Sequence, residues 1–146
     1  EKAKAETEEA AIEAVTGSAK VDIPEAMIET EIDHLVEDIE HRLQYQGLTL
    51  EQYYTLSGKS ETQVREEMKQ QAQKNVKTGL VLEAIMKKEE IKPDEKEVEE
   101  KLKQMAKGYG KTEEEMLKND YLKEVLGNNM QVQKTVQFIV DNAKIK

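Results

Sequence analysis

His34 and His41 are the first residues to weigh for chemistry, because Glu37 and Asp38 lie between them and imidazole and carboxylate are ligands that zinc takes. On a helix, however, seven residues span two turns, roughly 10 Å along the axis, which is awkward for two ligands of one ion. The pair therefore reads as solvated imidazoles meeting acids one turn away, and no metal or other cofactor is expected. Carboxylates are everywhere, but no pair is set among apolar residues that would move its pKa towards a catalytic value. The chain has no cysteine, so thiol nucleophiles, thiolate metal sites and disulfides are all excluded. No serine sits in a strand-turn-helix setting. Gly108-Tyr109-Gly110 is too short for a phosphate loop and follows a helix, whereas such loops precede one. No catalytic residue is assigned, and an enzyme is not expected.

What remains is contact chemistry. Leu43, Tyr45, Leu48 and Tyr53, with Tyr54 beside them, gather at one predicted turn, and Met105, Tyr109, Met116 and Leu117 at another. Two readings stay open for them. A row of methionine or aromatic residues at helical spacing is usually core. The tips of helical hairpins bury little, though, and methionine and tyrosine there give the flexible, amphipathic contacts that suit varied partners. Leu82, Ile85, Val136 and Ile139 read as core.

The elements that hold these clusters are all predicted helical, because Glu, Lys, Gln and Ala are abundant and there is one Phe and no Trp. A first helix with a thin apolar edge runs to Thr16 and stops at Gly17. A second opens with Pro24 at its first position and carries Ile28, Ile32, Leu35, Ile39 and Leu43 on one stripe before Gly47. Thr49 with Gln52, Ser60 with Gln63 and Thr112 with Glu115 have the spacing of capping boxes, so each starts a helix. The short helix with Tyr53 and Tyr54 is expected to turn at Ser57-Gly58 and pair antiparallel with the long one that follows. In that long helix Val64, Met68, Ala72 and Val76 make a narrow stripe, whereas Leu80 to Met86 is apolar around most of its circumference. Ile91-Lys92-Pro93 breaks the pattern. Val98, Leu102, Met105 and Tyr109 mark the next helix, and a last one starts near Asn119 with Gly127 as a weak point. Two helical hairpins in succession result, within a single domain over residues 1–146.

Of the residues 37% are hydrophobic and 36% charged, so much of the chain faces water and an elongated shape is expected. A net charge of −9, with basic residues interleaved among acids, argues against a nucleic-acid surface. No apolar run is long enough to span a bilayer, and the first ten residues lack the layout of a signal peptide, so the chain reads as soluble, with no membrane partner. It begins without Met, which reads as a fragment or a processed product.

The run Val21-Asp22-Ile23-Pro24-Glu25-Ala26-Met27-Ile28-Glu29, followed by Gln46-Gly47-Leu48-Thr49-Leu50-Glu51-Gln52-Tyr53, resembles the C-terminal domain of bacterial trigger factor, a chaperone family. The likeness continues through Val76-Lys77-Thr78-Gly79-Leu80-Val81-Leu82-Glu83 and the Met105 to Tyr109 segment to the closing helix. The resemblance implies the all-α fold shared with SurA-like peptide-binding domains, a helical body with protruding hairpin arms. It also implies a cradle that shields nascent or unfolded polypeptides without ATP in the bacterial cytoplasm. Polypeptide contacts would fall on Met105, Tyr109, Met116 and Leu117, and on Leu43, Tyr45, Leu48 and Tyr53. The family's ribosome-docking Gly-Phe-Arg-x-Gly-Lys loop and its prolyl isomerase domain have no counterpart in this sequence. Ribosome contact and isomerisation are therefore expected of other parts of the family's full-length protein. The rival reading is a scaffold or homodimer module in which the same stripes are filled by core or by a second copy.

Overall fold

The computed structural model describes residues 2–143, and every regular element among them is an α-helix, as the composition predicts. In chain order these are α1 (Lys2–Ser18), α2 (Glu25–Tyr45), α3 (Leu50–Ser57), α4 (Glu61–Lys88), α5 (Glu95–Tyr109), α6 (Glu113–Leu117) and α7 (Asp120–Ala143). They fall into two compact units, Ala19–Leu80 and α1 together with the chain from Val81 onward.

Local chemistry sets the helix starts. The Thr49 and Thr112 hydroxyls accept from the backbone N–H of Gln52 and Glu115, whose side chains accept in return from the Thr49 and Thr112 N–H. Ser60 and Gln63 do the same at the head of α4. Each reciprocal pair satisfies two donors that a helix leaves open, and losing such a cap costs about 1 kcal/mol. Pro24 is the residue before α2, in extended backbone, and not its first helical position; its carbonyl accepts from Met27 and Ile28. Gly17 does not stop α1, which continues to Ser18.

Helix ends use the left-handed turn. Gly58 and Gly110 take φ of 68° and 64° beyond α3 and α5, a region open to glycine at no steric cost. After α4 the same turn is made by Glu90 at φ 49°, with the Ile91 N–H donating back to the Met86 carbonyl at 3.0 Å. A side chain there costs about 1 kcal/mol.

In the Ala19–Leu80 unit, Ile28 and Ile32 of α2 close on Ala72 of α4, which is wholly buried, and Ile23, Leu35 and Val36 flank them. Around this contact the two helices are stitched by polar groups. Arg65 forks to Asp33 at 2.8 Å and Glu29 at 3.0 Å, Lys69 meets Glu25 at 3.0 Å, and Asn75 donates to Glu31 at 2.7 Å. Helix α3 packs on α2.

The other unit has two apolar cores. One joins Val98, Leu102 and Ala106 of α5 to Met116 of α6 and Met130 of α7. The other joins Ala11 of α1 to Ile139 and Val140 of α7, with Leu82, Ile85 and Val136 packed against it. The residues assigned to the core from the sequence thus lie at this second cluster. At Leu80–Met86 burial is one-sided, since Ala84 and Glu83 are exposed. Helix α7 runs unbroken through Gly127, and a Cβ there would meet the Pro93 ring at an ordinary 3.6 Å. Gln131 fastens the same connection by donating to the Ile91 carbonyl at 2.8 Å.

Candidate functional site

The two tip clusters come out differently from the residues around them. In the α5–α6–α7 region the capping box at Thr112 opens the five-residue α6, on which Met116 points inward, at 2% exposure. Its carbonyl accepts from the Asn119 N–H at 3.2 Å, which closes the turn into α7. Met105 and Leu117 are half-buried against the same core. Tyr109, the last residue of α5, is 69% exposed. The structure therefore brings Met105, Met116 and Leu117 together and leaves Tyr109 outside as the accessible ring.

At the α2–α3 turn, the Leu48 N–H donates to the Leu43 carbonyl and the Gly47 N–H to the Gln44 carbonyl, the pair of hydrogen bonds that ends a helix through a left-handed glycine. That motif pairs an apolar residue after the helix with one inside its last turn, and Leu48 and Leu43 hold those two positions. Leu43 is buried and Leu48 half-buried. Of the two readings open for the tip clusters, burial favours core at Leu43 and Met116, each of which fills a closed turn.

Tyr45, by contrast, is 94% exposed. Tyr53 is half-buried, its ring 6.0 Å from that of Tyr54 in a tilted pair. Burial raises the Tyr54 phenol above the ordinary tyrosine value, and the neighbouring Glu61 carboxylate adds to the effect. Lys59, hydrogen-bonded to Glu67 at 2.7 Å, is held above its ordinary value by that bond.

Two exposed side chains did not stand out among the sequence candidates. Tyr121 on the first turn of α7 and Leu56 near the end of α3 are about three-quarters exposed. Tyr121 precedes by one residue the stripe of Leu122, Leu126 and Met130. A rotation of about 100° per residue puts it off the buried face, so its exposure is legible from spacing. The unit that contains α1 and α7 also carries a cleft of about 550 Å³ between those helices, floored by Met130, Val132 and Val136 and edged by Lys4 and Glu8.

Of the histidines, His34 is largely exposed and lies 3.8 Å from Glu31, an acid one turn away, and His41 is exposed. Among the described residues no three His, Cys, Asp or Glu side chains converge as a metal site would require, and no helix is long and apolar enough to cross a membrane. Among the described residues the arrangement offers exposed and half-buried apolar contacts.

Residues 1–141 match the family described as the C-terminus of bacterial trigger factor protein. The chain is 40% identical, over 149 aligned positions, to trigger factor of Geobacillus sp. strain WCH70, an alignment that covers 98% of this chain and 33% of that protein. It is 50% identical over 115 positions to trigger factor of Clostridium botulinum strain Hall, covering 79% of this chain and 27% of that one. The chain thus spans about a third of the length of these relatives. A solved structure of trigger factor domains from Thermotoga maritima superimposes with a TM-score of 0.61 over 93% of this chain and 83% of that one. At 22% identity, that likeness speaks for the fold alone.

Proposed function

We propose that this chain, which belongs to the bacterial trigger factor C-terminal family, a family of chaperones, holds unfolded and nascent polypeptides through weak contacts at several exposed apolar positions. The observation that supports this reading is where large apolar side chains stand in water. Tyr45, Leu56, Tyr109 and Tyr121 all lie at helix ends, next to half-buried neighbours such as Leu48, Tyr53, Met105 and Leu117. Covering one such ring is worth roughly 2 kcal/mol at about 25 cal/mol per Å², and ordering the bound segment offsets part of that. One contact alone is therefore weak. Several on one chain raise the effective affinity without selecting a sequence, which is what holding varied unfolded segments requires.

The remaining chemistry agrees. No phosphate loop offers a site for ATP, so holding would be passive. The charge of −9 would keep a complex with an apolar client dispersed. The bacterial cytoplasm is the proposed setting, with ribosome docking and prolyl isomerisation left to the rest of the full-length family protein.

The test is suppression of aggregation of a chemically unfolded client, followed by light scattering. A variant with Tyr109→Ser and Tyr121→Ser, checked by circular dichroism to be as helical as the parent, is expected to lose suppression several-fold. Unchanged suppression would remove these residues from the surface. Self-association that is lost in the same variant, seen by sedimentation over a range of concentrations, would instead assign the patch to a homodimer or scaffold contact.

A further inference from the structure

We propose that the cleft between α1 and α7 is a second kind of client site, one that takes a segment already coiled into an amphipathic helix. It rests on the polypeptide-holding reading for its source of ligand. Where α1 packs on α7, Ala11 and Val15 of α1 lie in one cluster with Ile139 and Val140 of α7. Seven residues earlier on each helix the same two faces come round again, about 10 Å back along the axes. There α7 still presents an apolar face, with Val132 in the place of Ile139 and Val136 beside it. Helix α1 does not match it, since Lys4 and Glu8 stand in the places of Ala11 and Val15. The gap is the cleft of about 550 Å³, a size ordinary for ligand pockets, and it leaves Val132 41% exposed.

The walls fix the chemistry of the occupant. The cleft continues the α1–α7 interface, in which a helix already packs on this face of α7, so a helix has the matching shape. Its floor of Met130, Val132 and Val136 belongs to the middle of α7, whose backbone groups bond within the helix. An extended segment would therefore lay unpaired N–H and C=O groups on apolar side chains, whereas a helix satisfies its own. At the rim Lys4 and Lys134 outnumber the one acid, Glu8. Their ion pairs, Lys4 with Glu8 at 3.8 Å and Lys134 with Glu97 at 3.4 Å, are longer than hydrogen bonds, so both ammonium groups can turn to a new carboxylate. The occupant is thus a helix with Asp or Glu beside its apolar stripe. A second copy of this chain is disfavoured, because two-fold pairing through the cleft would set a concave face against itself.

The test titrates methyl-labelled protein with two peptides, an Ala- and Glu-rich helix former carrying Leu at i, i+3, i+4 and i+7, and the same peptide with two central alanines replaced by proline. The helical peptide is expected to shift the Val132, Val136 and Met130 methyl signals, and the proline peptide to leave them in place. Val132→Ser, at an exposed position and checked for helicity by circular dichroism, is expected to weaken binding of the helical peptide about five-fold. Unmoved Val132 and Val136 signals, or equal shifts with both peptides, would overturn the proposal. So would Val132 signals that move on dilution without peptide, which assign the cleft to a contact between copies. Binding to this chain that is shut out in the full-length family protein would assign it to a segment of that protein, and overturn it too. The holding reading is judged apart from this, by the Met105, Leu117, Leu48 and Leu56 signals under an unfolded client, so either can fail without the other.

Discussion

The Ala19–Leu80 unit and the unit built from α1 and the chain beyond Val81 hold themselves together by different means. In the first, one small apolar contact at Ile28, Ile32 and Ala72 is framed by Arg65, Lys69 and Asn75 reaching across to acids of α2. In the second, two apolar clusters do most of the joining, with Lys134 to Glu97 at 3.4 Å as a cross-helix ion pair. Partly exposed ion pairs contribute at most about 1 kcal/mol each, whereas truncating a buried leucine costs 2–5 kcal/mol. The Arg65–Lys69 stitching therefore fixes which helix faces meet more than it stabilises them, and the second unit is the sturdier one.

That contrast can be broken most forcefully at the cores. Leu102→Ala removes a wholly buried side chain from the α5–α6–α7 cluster and is expected to lower the protection of α5 amides against exchange by about 4 kcal/mol. Ile32→Ala, at 2% exposure in the smaller contact, is expected to cost α2 about 2–3 kcal/mol, since fewer large neighbours surround the cavity. Equal losses would remove the distinction. A smaller effect sharpens it. Arg65→Met keeps the apolar stem and removes the fork, so α2 and α4 should lose about 1 kcal/mol in dilute buffer and less at high salt. Urea denaturation at low and high ionic strength reads this, and a salt-independent loss would mean that packing, and not charge, links the helices there.

Much of this was legible from the sequence, for a local reason. Capping boxes at Thr49, Ser60 and Thr112 and the stripe from Ile28 to Leu43 depend on residues within a turn or two of each other, so spacing alone placed the helices. Burial at a tip is not local. Met116 and Leu43 look alike with Met105 and Tyr45 in sequence, yet the first pair fills closed turns and the second does not. Only the path of the neighbouring backbone separates them. The Arg65 fork spans 32 and 36 residues and has no short-range signal. At Glu90 the left-handed turn occurs without the glycine that would have announced it.

The polypeptide-holding surface is read out by titrating methyl-labelled protein with a permanently unfolded polypeptide. The methyl signals of Met105, Leu117, Leu48 and Leu56 are expected to shift together as client is added, while those of Leu102, Ile32 and Ile139 stay in place. Shifts confined to the buried set, or none at high client concentration, would contradict it and leave the exposed tyrosines and Leu56 without a polypeptide to bind.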